Sequence, residues 1–209
     1  MAKNLKKDVS LELVYKPKNV FLAHDELASI QIANEREAEI LLKFPTVNEI
    51  LQSLSKYSFE DENYAIVVPE GIKDIVREGR ILGHCLDRTD IYFDRISRHE
   101  SFIFFLRKKT DVDMPFYSLE VEPDGTTRQK RTYGDRQDKD YQECVDFIKK
   151  WQRHLKKVLT DEDLDFAKTS AKLREENFKD LRERNEKVWH GLLAGQLLAD
   201  VLEADLMLA

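Results

Sequence analysis

The chain has 209 residues, 42% hydrophobic and 35% charged, with a formal net charge of −6. That is enough chain for one buried core with an appended helical segment, and its acidic balance is unlike that of a general nucleic-acid binder. Residues 160–209 carry −5 of the charge, which leaves the preceding body near neutral at −1 and able to hold a local basic face.

The first residues lack the apolar run of a signal peptide. With two cysteines, Cys85 and Cys144, the expected setting is cytoplasmic with free thiols. Lys16-Pro17-Lys18-Asn19 reads as a stop-and-start signal before a helix over residues 20–42, with Leu22, Leu27, Ile30, Ala38 and Leu41 as its expected buried stripe. His24-Asp25 has the form of a metal-binding dipeptide of phosphohydrolases. Five scattered histidines supply no clear set of further ligands, so neither a metal nor a cofactor is expected. A second helix follows Pro45 with Val47, Ile50, Leu51 and Leu54, and residues 60–63 form a polar loop. Tyr64-Ala65-Ile66-Val67-Val68 reads as a strand, and Pro69 opens a helix bearing Ile72, Ile75 and Val76 that Gly79 can close.

Ile81-Leu82-Gly83 then leads into His84 and Cys85, and residues 86–97 look helical, with Tyr92, Phe93 and Ile96 on one side. A helix beginning near Cys85 would favour the thiolate through unpaired N–H groups and the helix dipole, making Cys85 a nucleophile. The other reading, and the expected one, is a packed and unreactive thiol, because free cysteine usually behaves as a small hydrophobe. Adjacency alone does not make His84 its base, since neighbouring side chains point different ways, and His99 is the other candidate base. Zinc held by His84, Cys85 and His99 would lack a fourth ligand.

Residues 102–106 are apolar at consecutive positions, which marks a central strand ended by Arg107. Glu122-Pro123-Asp124-Gly125-Thr126 has the composition of a three-residue hairpin loop. That turn predicts Glu122 opposite Thr126, Glu120 opposite Arg128, and Leu119 opposite Gln129. Gln129 and Arg131 would then lie against the apolar face of Tyr117, Leu119 and Val121, where their polar groups need partners from a ligand or from the protein, the Arg107 neighbourhood included.

These motifs together resemble one family. Glu78-Gly79, Leu82, His84-Cys85, Tyr92-Phe93-Asp94-Arg95-Ile96, Glu100-Ser101, Phe105-Leu106-Arg107, the run from Pro115 through Val121 and Gln129 are similar to the PcfJ-like proteins of conjugative plasmids and related mobile elements. The resemblance is strongest over residues 64–157 and extends to Pro17-Lys18-Asn19, His24-Asp25 and the tail at 192–207. Many members begin with a further N-terminal region, so the chain resembles their C-terminal part. The family pattern has a glycine two residues after the cysteine and a tyrosine four after it, where this chain has Asp87 and Thr89. The resemblance implies a mobile-element context and carries no reaction with it.

Residues 138–157 form an amphipathic helix that places Cys144 in the core, and residues 164–188 follow a weak heptad seam through Ala167, Arg174, Phe178 and Leu181. The expected fold is α+β: a small, mainly antiparallel sheet flanked by helices, with residues 1–158 as the main domain. Residues 159–209 are a C-terminal helical extension that packs on the body or on a partner. Two functions fit. One is an accessory protein of a mobile element, with nucleic acid or mobile-element proteins as partners and no membrane. Its candidate contacts are Arg128, Lys130, Arg131, Tyr133 and Arg136, within a segment, residues 126–139, of net charge +3. The other is an enzyme transferring an acyl, nucleotidyl or ADP-ribosyl group, with His84, Cys85, Arg107, Glu120 and Gln129 as candidate catalytic residues.

Overall fold

The computed structural model describes residues 20–189 and 193–209. The signal at residues 16–19 and Leu192 lie outside the described residues, as do the side chains of Leu22 and Asp25. Helix α1 spans Val20–Lys43 and α2 spans Val47–Ser53, continued by a 3-10 turn over Leu54–Tyr57. Among the described side chains of α1, Ile30, Ala33 and Ile40 are buried and Leu41 packs partly against the core; Ile30 and Leu41 are thus where the stripe was expected, whereas Ala38 is exposed and Ala33 and Ile40 take the inner positions. Phe59–Glu60 is β1, so Glu60 belongs to a short edge strand instead of a loop, and Tyr64–Val67 is β2.

Helix α3 covers Ile72–Leu82 and ends at Gly83, which takes the left-handed conformation at φ 67°. Gly79 is thus inside the helix, and it is not the cap. Its role is close approach: a Cβ there would lie 2.7 Å from the Asp87 backbone nitrogen and 2.8 Å from Leu86 Cβ. Only a residue without a side chain lets the turn after α3 fold back against the helix. The expected helix over residues 86–97 is broken into a 3-10 turn at Cys85–Asp87 and a shorter α4 at Ile91–Ser97.

Strands β3 (Phe102–Lys108), β4 (Tyr117–Val121) and β5 (Thr127–Arg131) complete a five-stranded sheet in the order β1-β2-β3-β4-β5, every neighbouring pair antiparallel. β3 is central and buried on both faces, as its unbroken apolar run requires. Helix α5 (Val145–Val158) covers one face, where Phe102, Phe104, Leu106, Tyr117, Leu119 and Val121 meet Tyr57, Tyr141 and Trp151. The polar tips in this layer are satisfied: Trp151 Nε1 donates to the Tyr57 carbonyl at 2.8 Å, and the hydroxyls of Tyr57, Tyr117 and Tyr141 donate to the Pro123 carbonyl at 2.7 Å, to Asp140 at 2.8 Å and to the Met207 sulfur at 3.3 Å. Cys144 is fully buried here, and burial pushes its thiol up to about 11.

The other face of the sheet carries Ile103, Phe105, Arg107, Ser118, Glu120 and Gln129 beneath α3 and α4, with α1 packed across α3. Helix α6 (Asp161–Glu183) starts with a capping box in which Thr160 and Asp163 satisfy each other's backbone N–H groups. It buries Ala167, Ser170, Arg174, Phe178 and Leu181. Helix α7 (Leu198–Asp205) packs on it through Ala199, Leu198 and Leu202. Beyond α7, Met207 exchanges two backbone hydrogen bonds with Thr127, each 2.9 Å, and so covers part of the β5 edge.

Candidate functional site

The site is governed by a bulge in the β4–β5 hairpin. The turn itself is as its residues dictate: the Glu122 N–H donates to the Thr126 carbonyl at 2.8 Å, Gly125 has φ 94°, and Val121 lies opposite Thr127. The register then shifts, so that Glu120 pairs with Gln129 and Leu119 with Lys130. This corrects the expected pairing of Glu120 with Arg128 and of Leu119 with Gln129. Arg128 is the extra residue, and it shares a face with Gln129 because a bulge sets two residues against one. Gln129 and Arg131 consequently do not face Tyr117, Leu119 and Val121; they share the opposite face with Ser118 and Glu120.

Around the bulge lies a buried network of three carboxylates and three guanidinium groups. Arg128 donates from Nε to Glu122 at 2.7 Å, from Nη1 to Glu100 at 2.8 Å, and from Nη2 to the Ser170 carbonyl at 2.9 Å. Arg174 of α6 donates to the same Glu122 oxygen at 2.6 Å. Glu120 accepts from Arg95 and Ser101, each at 2.7 Å, and from Gln129 Nε2 at 3.1 Å. Burial raises the Glu122 carboxyl above its usual range, against the pull of Arg128 and Arg174. Burial alone would lower the Arg128 guanidinium, but the Glu120 and Glu122 charges hold it above its ordinary value.

Arg107 is equally committed. It makes a forked pair with Glu78 of α3, Nη1 to Oε1 at 2.8 Å and Nη2 to Oε2 at 2.5 Å, and both residues are buried. Burial pushes the Glu78 carboxyl up, with Arg107 opposing it.

His84, Cys85, Tyr92, Ser118, Glu120, Gln129, Arg131 and Asp135 line one cleft. The structure thus brings four of the five catalytic candidates to it and leaves Arg107 outside. His84 Nε2 lies 3.3 Å from Ser118 Oγ, and burial lowers the imidazole from its ordinary value. Cys85 is exposed on one side, with its Sγ 3.3 Å from the Tyr92 hydroxyl. Desolvation by the surrounding protein nevertheless pushes the thiol up, outweighing the Tyr92 hydrogen bond. No long helix starts at Cys85 to lower it, so the expected source of a reactive thiolate is missing. His99 stacks on Phe166 at 4.4 Å and is not in the cleft wall. The unfilled space is about 20 Å³. That holds one water and falls far short of the roughly 300 Å³ of a small-molecule pocket.

The basic candidates of β5 also divide. Arg128 and Lys130 are buried, against the expectation that they form a surface strip. Lys130 donates to the Asp205 carbonyl at 2.7 Å, lies over the Tyr141 ring, and is lowered by burial. Arg131 pairs with the Asp205 carboxylate. Only Tyr133 and Arg136 of the five are exposed, and Arg136 lies 3.7 Å from Asp138.

The family model for PcfJ-like protein matches residues 1–145. The chain belongs to the PcfJ-like family. It is also 26% identical over 126 residues to "Uncharacterized protein Lin1253/Lin1744" of Listeria innocua serovar 6a, a stretch that covers 57% of this chain and 26% of that protein. The chain therefore spans about a quarter of the length of this relative. No solved structure matches. The matched region of this PcfJ-like chain contains α3, the Cys85 cleft and the whole sheet. Ser170 and Arg174, which complete the buried network, and Glu78, which holds Arg107, are not among the sequence candidates. The signal for Arg174 was its place on the α6 seam, where a charged residue at a buried position demands a buried counter-charge. Among the described residues no group of His, Cys, Asp and Glu is arranged to hold a metal, and no helix is long and apolar enough to cross a membrane.

Proposed function

We propose that this PcfJ-like chain is a non-catalytic accessory protein of a conjugative plasmid or related mobile element that works in association with nucleic acid. Family membership supports the setting. The observation that carries the non-catalytic part is that the charged candidates are used up by each other: Arg107 by Glu78, Glu120 by Arg95, Ser101 and Gln129, and Arg128 by Glu100, Glu122 and Ser170. Groups whose strongest hydrogen bonds are spent on the fold are poorly placed to bind or transfer a substrate. The second reading is an enzyme transferring an acyl, nucleotidyl or ADP-ribosyl group. One observation favours it, the convergence of His84, Cys85, Gln129 and Arg131 on one cleft. The size of that cleft and the raised Cys85 thiol weigh against it.

Complementation of a conjugative element that encodes this chain separates the readings. Deletion is expected to lower transfer frequency, and a Cys85→Ala copy to restore it to the wild-type value. No loss on deletion would remove the accessory role. A folded Cys85→Ala protein that fails to restore transfer would favour the enzyme.

A further inference from the structure

The solvent face of α5 is a stripe of cations that the fold uses only in part. Lys149, Lys150, Arg153, Lys156 and Lys157 are all exposed. At about 100° per residue they fall within about 120° of the helix circumference. The opposite side, Phe147, Ile148, Trp151 and Leu155, is buried in the core, so the stripe is held rigid on a fixed helix. Ordinary explanations cover only part of it. Lys156 and Lys157 complement the helix C-terminus. Lys150 lies 3.4 Å from Asp61. Lys149 and Arg153 lie away from the last turn, and Lys149, Arg153, Lys156 and Lys157 make no ion pair with any described residue. Asp146, one turn before Lys149, is not paired with it either. In a chain of net charge −6, five exposed cations on one rigid face, four of them without an ion pair to any described residue, concentrate positive potential where a polyanion can meet it.

We propose that this face of α5 binds the phosphate backbone of nucleic acid without reading its sequence. The proposal deepens the nucleic-acid part of the function proposed above and moves it from β5, where Arg128 and Lys130 are buried, to α5. Lysine is a point charge suited to phosphate, and the one amide of the helix, Gln152, is turned inward to donate to the carbonyls of Gly125 and Met207. An anionic membrane is the poorer partner, because an interfacial helix needs apolar residues beside its cations and those of α5 are in the core.

The test is fluorescence anisotropy of the full chain with a labelled random-sequence duplex DNA and the matching single strand, titrated against salt. Affinity for the duplex is expected to fall about 500-fold between about 50 and 200 mM salt, a logarithmic slope near about −4.5 for about five neutralised phosphates. The slope for the single strand is expected to be shallower, near about −3.5, and the higher affinity at equal salt identifies which form is held. Lys149→Glu/Arg153→Glu/Lys156→Glu is expected to weaken binding at low salt by more than about tenfold and to flatten the slope by about 3. The control, Lys168→Glu/Lys172→Glu/Lys179→Glu on the exposed side of α6, changes net charge equally and should retain binding. The glutamine version of the α5 triple variant serves if the glutamate version melts early. Three outcomes overturn the proposal: no DNA binding at low salt, equal losses in the α5 and α6 variants, or tighter binding to phosphatidylserine vesicles than to DNA. None of these touches the mating result, so the accessory role and this surface can fail separately.

Discussion

Arg107→Ala is expected to destabilise the folded chain by about 3 to 5 kcal/mol, the range for removing one partner of a buried ion pair. Glu78 would be left inside the protein with its charge uncompensated, because the Arg107 fork is its main partner. The pair also joins α3 to β3, so its loss loosens the helix that positions the His84–Cys85 turn. Urea denaturation measures the change through the midpoint at constant slope. Replacing both partners by apolar residues, Glu78→Leu with Arg107→Met, should recover most of the loss, since the desolvation of two charges is then no longer required. A loss below about 1 kcal/mol for Arg107→Ala would show that the pair is not the bolt described here.

Arg128→Ala is expected to cost about 3 kcal/mol, the lower end of the same range. Arg174 still reaches Glu122, and Arg98 still reaches Glu100 at 3.0 Å, so the carboxylates are not wholly abandoned. What disappears is the link from the hairpin bulge to Ser170 of α6. The variant should also acquire a pH dependence of known sign. Glu122 is already raised by burial, and without Arg128 it rises further above its unfolded value. A carboxyl raised on folding takes up a proton, which favours the folded state as pH falls. The gap between Arg128→Ala and wild type should therefore be narrower near pH ~5 than near pH ~8. A gap that widens toward acid would contradict this arrangement of charges. Arg128→Lys should not rescue, because a lysine cannot serve Glu122, Glu100 and Ser170 from one planar fork.

Arg128 also marks where the sequence stops being legible. The α+β class, the central β3, the strand at Tyr64–Val67 and the amphipathic α5 all follow from local periodicity, which burial on one or both faces imposes directly. The hairpin loop follows from Pro123-Asp124-Gly125, and its first pairing, Glu122 with Thr126, holds. The bulge does not follow. It is stabilised by bonds from Arg128 to Glu100 and to Ser170, residues far away in the chain, and turn chemistry carries no trace of them. That one residue of slip reversed the face on which Gln129 lies, and with it the reason for placing Gln129 near the site. Gly79 is ambiguous for a related cause: in sequence a helix-ending glycine looks the same as one that admits the Leu86–Asp87 backbone, and only packing distinguishes the two. The β5 cations look like a surface in sequence because charge is usually solvated, whereas Lys130 and Arg131 are both claimed by Asp205.

The central claim is that the polar residues on this face of the sheet hold the fold together and that Cys85 is not an activated nucleophile. The alkylation rate of Cys85 at neutral pH, in the native chain and in the urea-unfolded chain, tests it most directly, with peptide mapping to separate Cys85 from the buried Cys144. A thiol raised by desolvation holds less thiolate than an unfolded one, so native Cys85 is expected to react more slowly than unfolded Cys85. Faster reaction of native Cys85 than of the unfolded thiol would contradict the account and make the cleft at His84 and Cys85 a centre of chemistry.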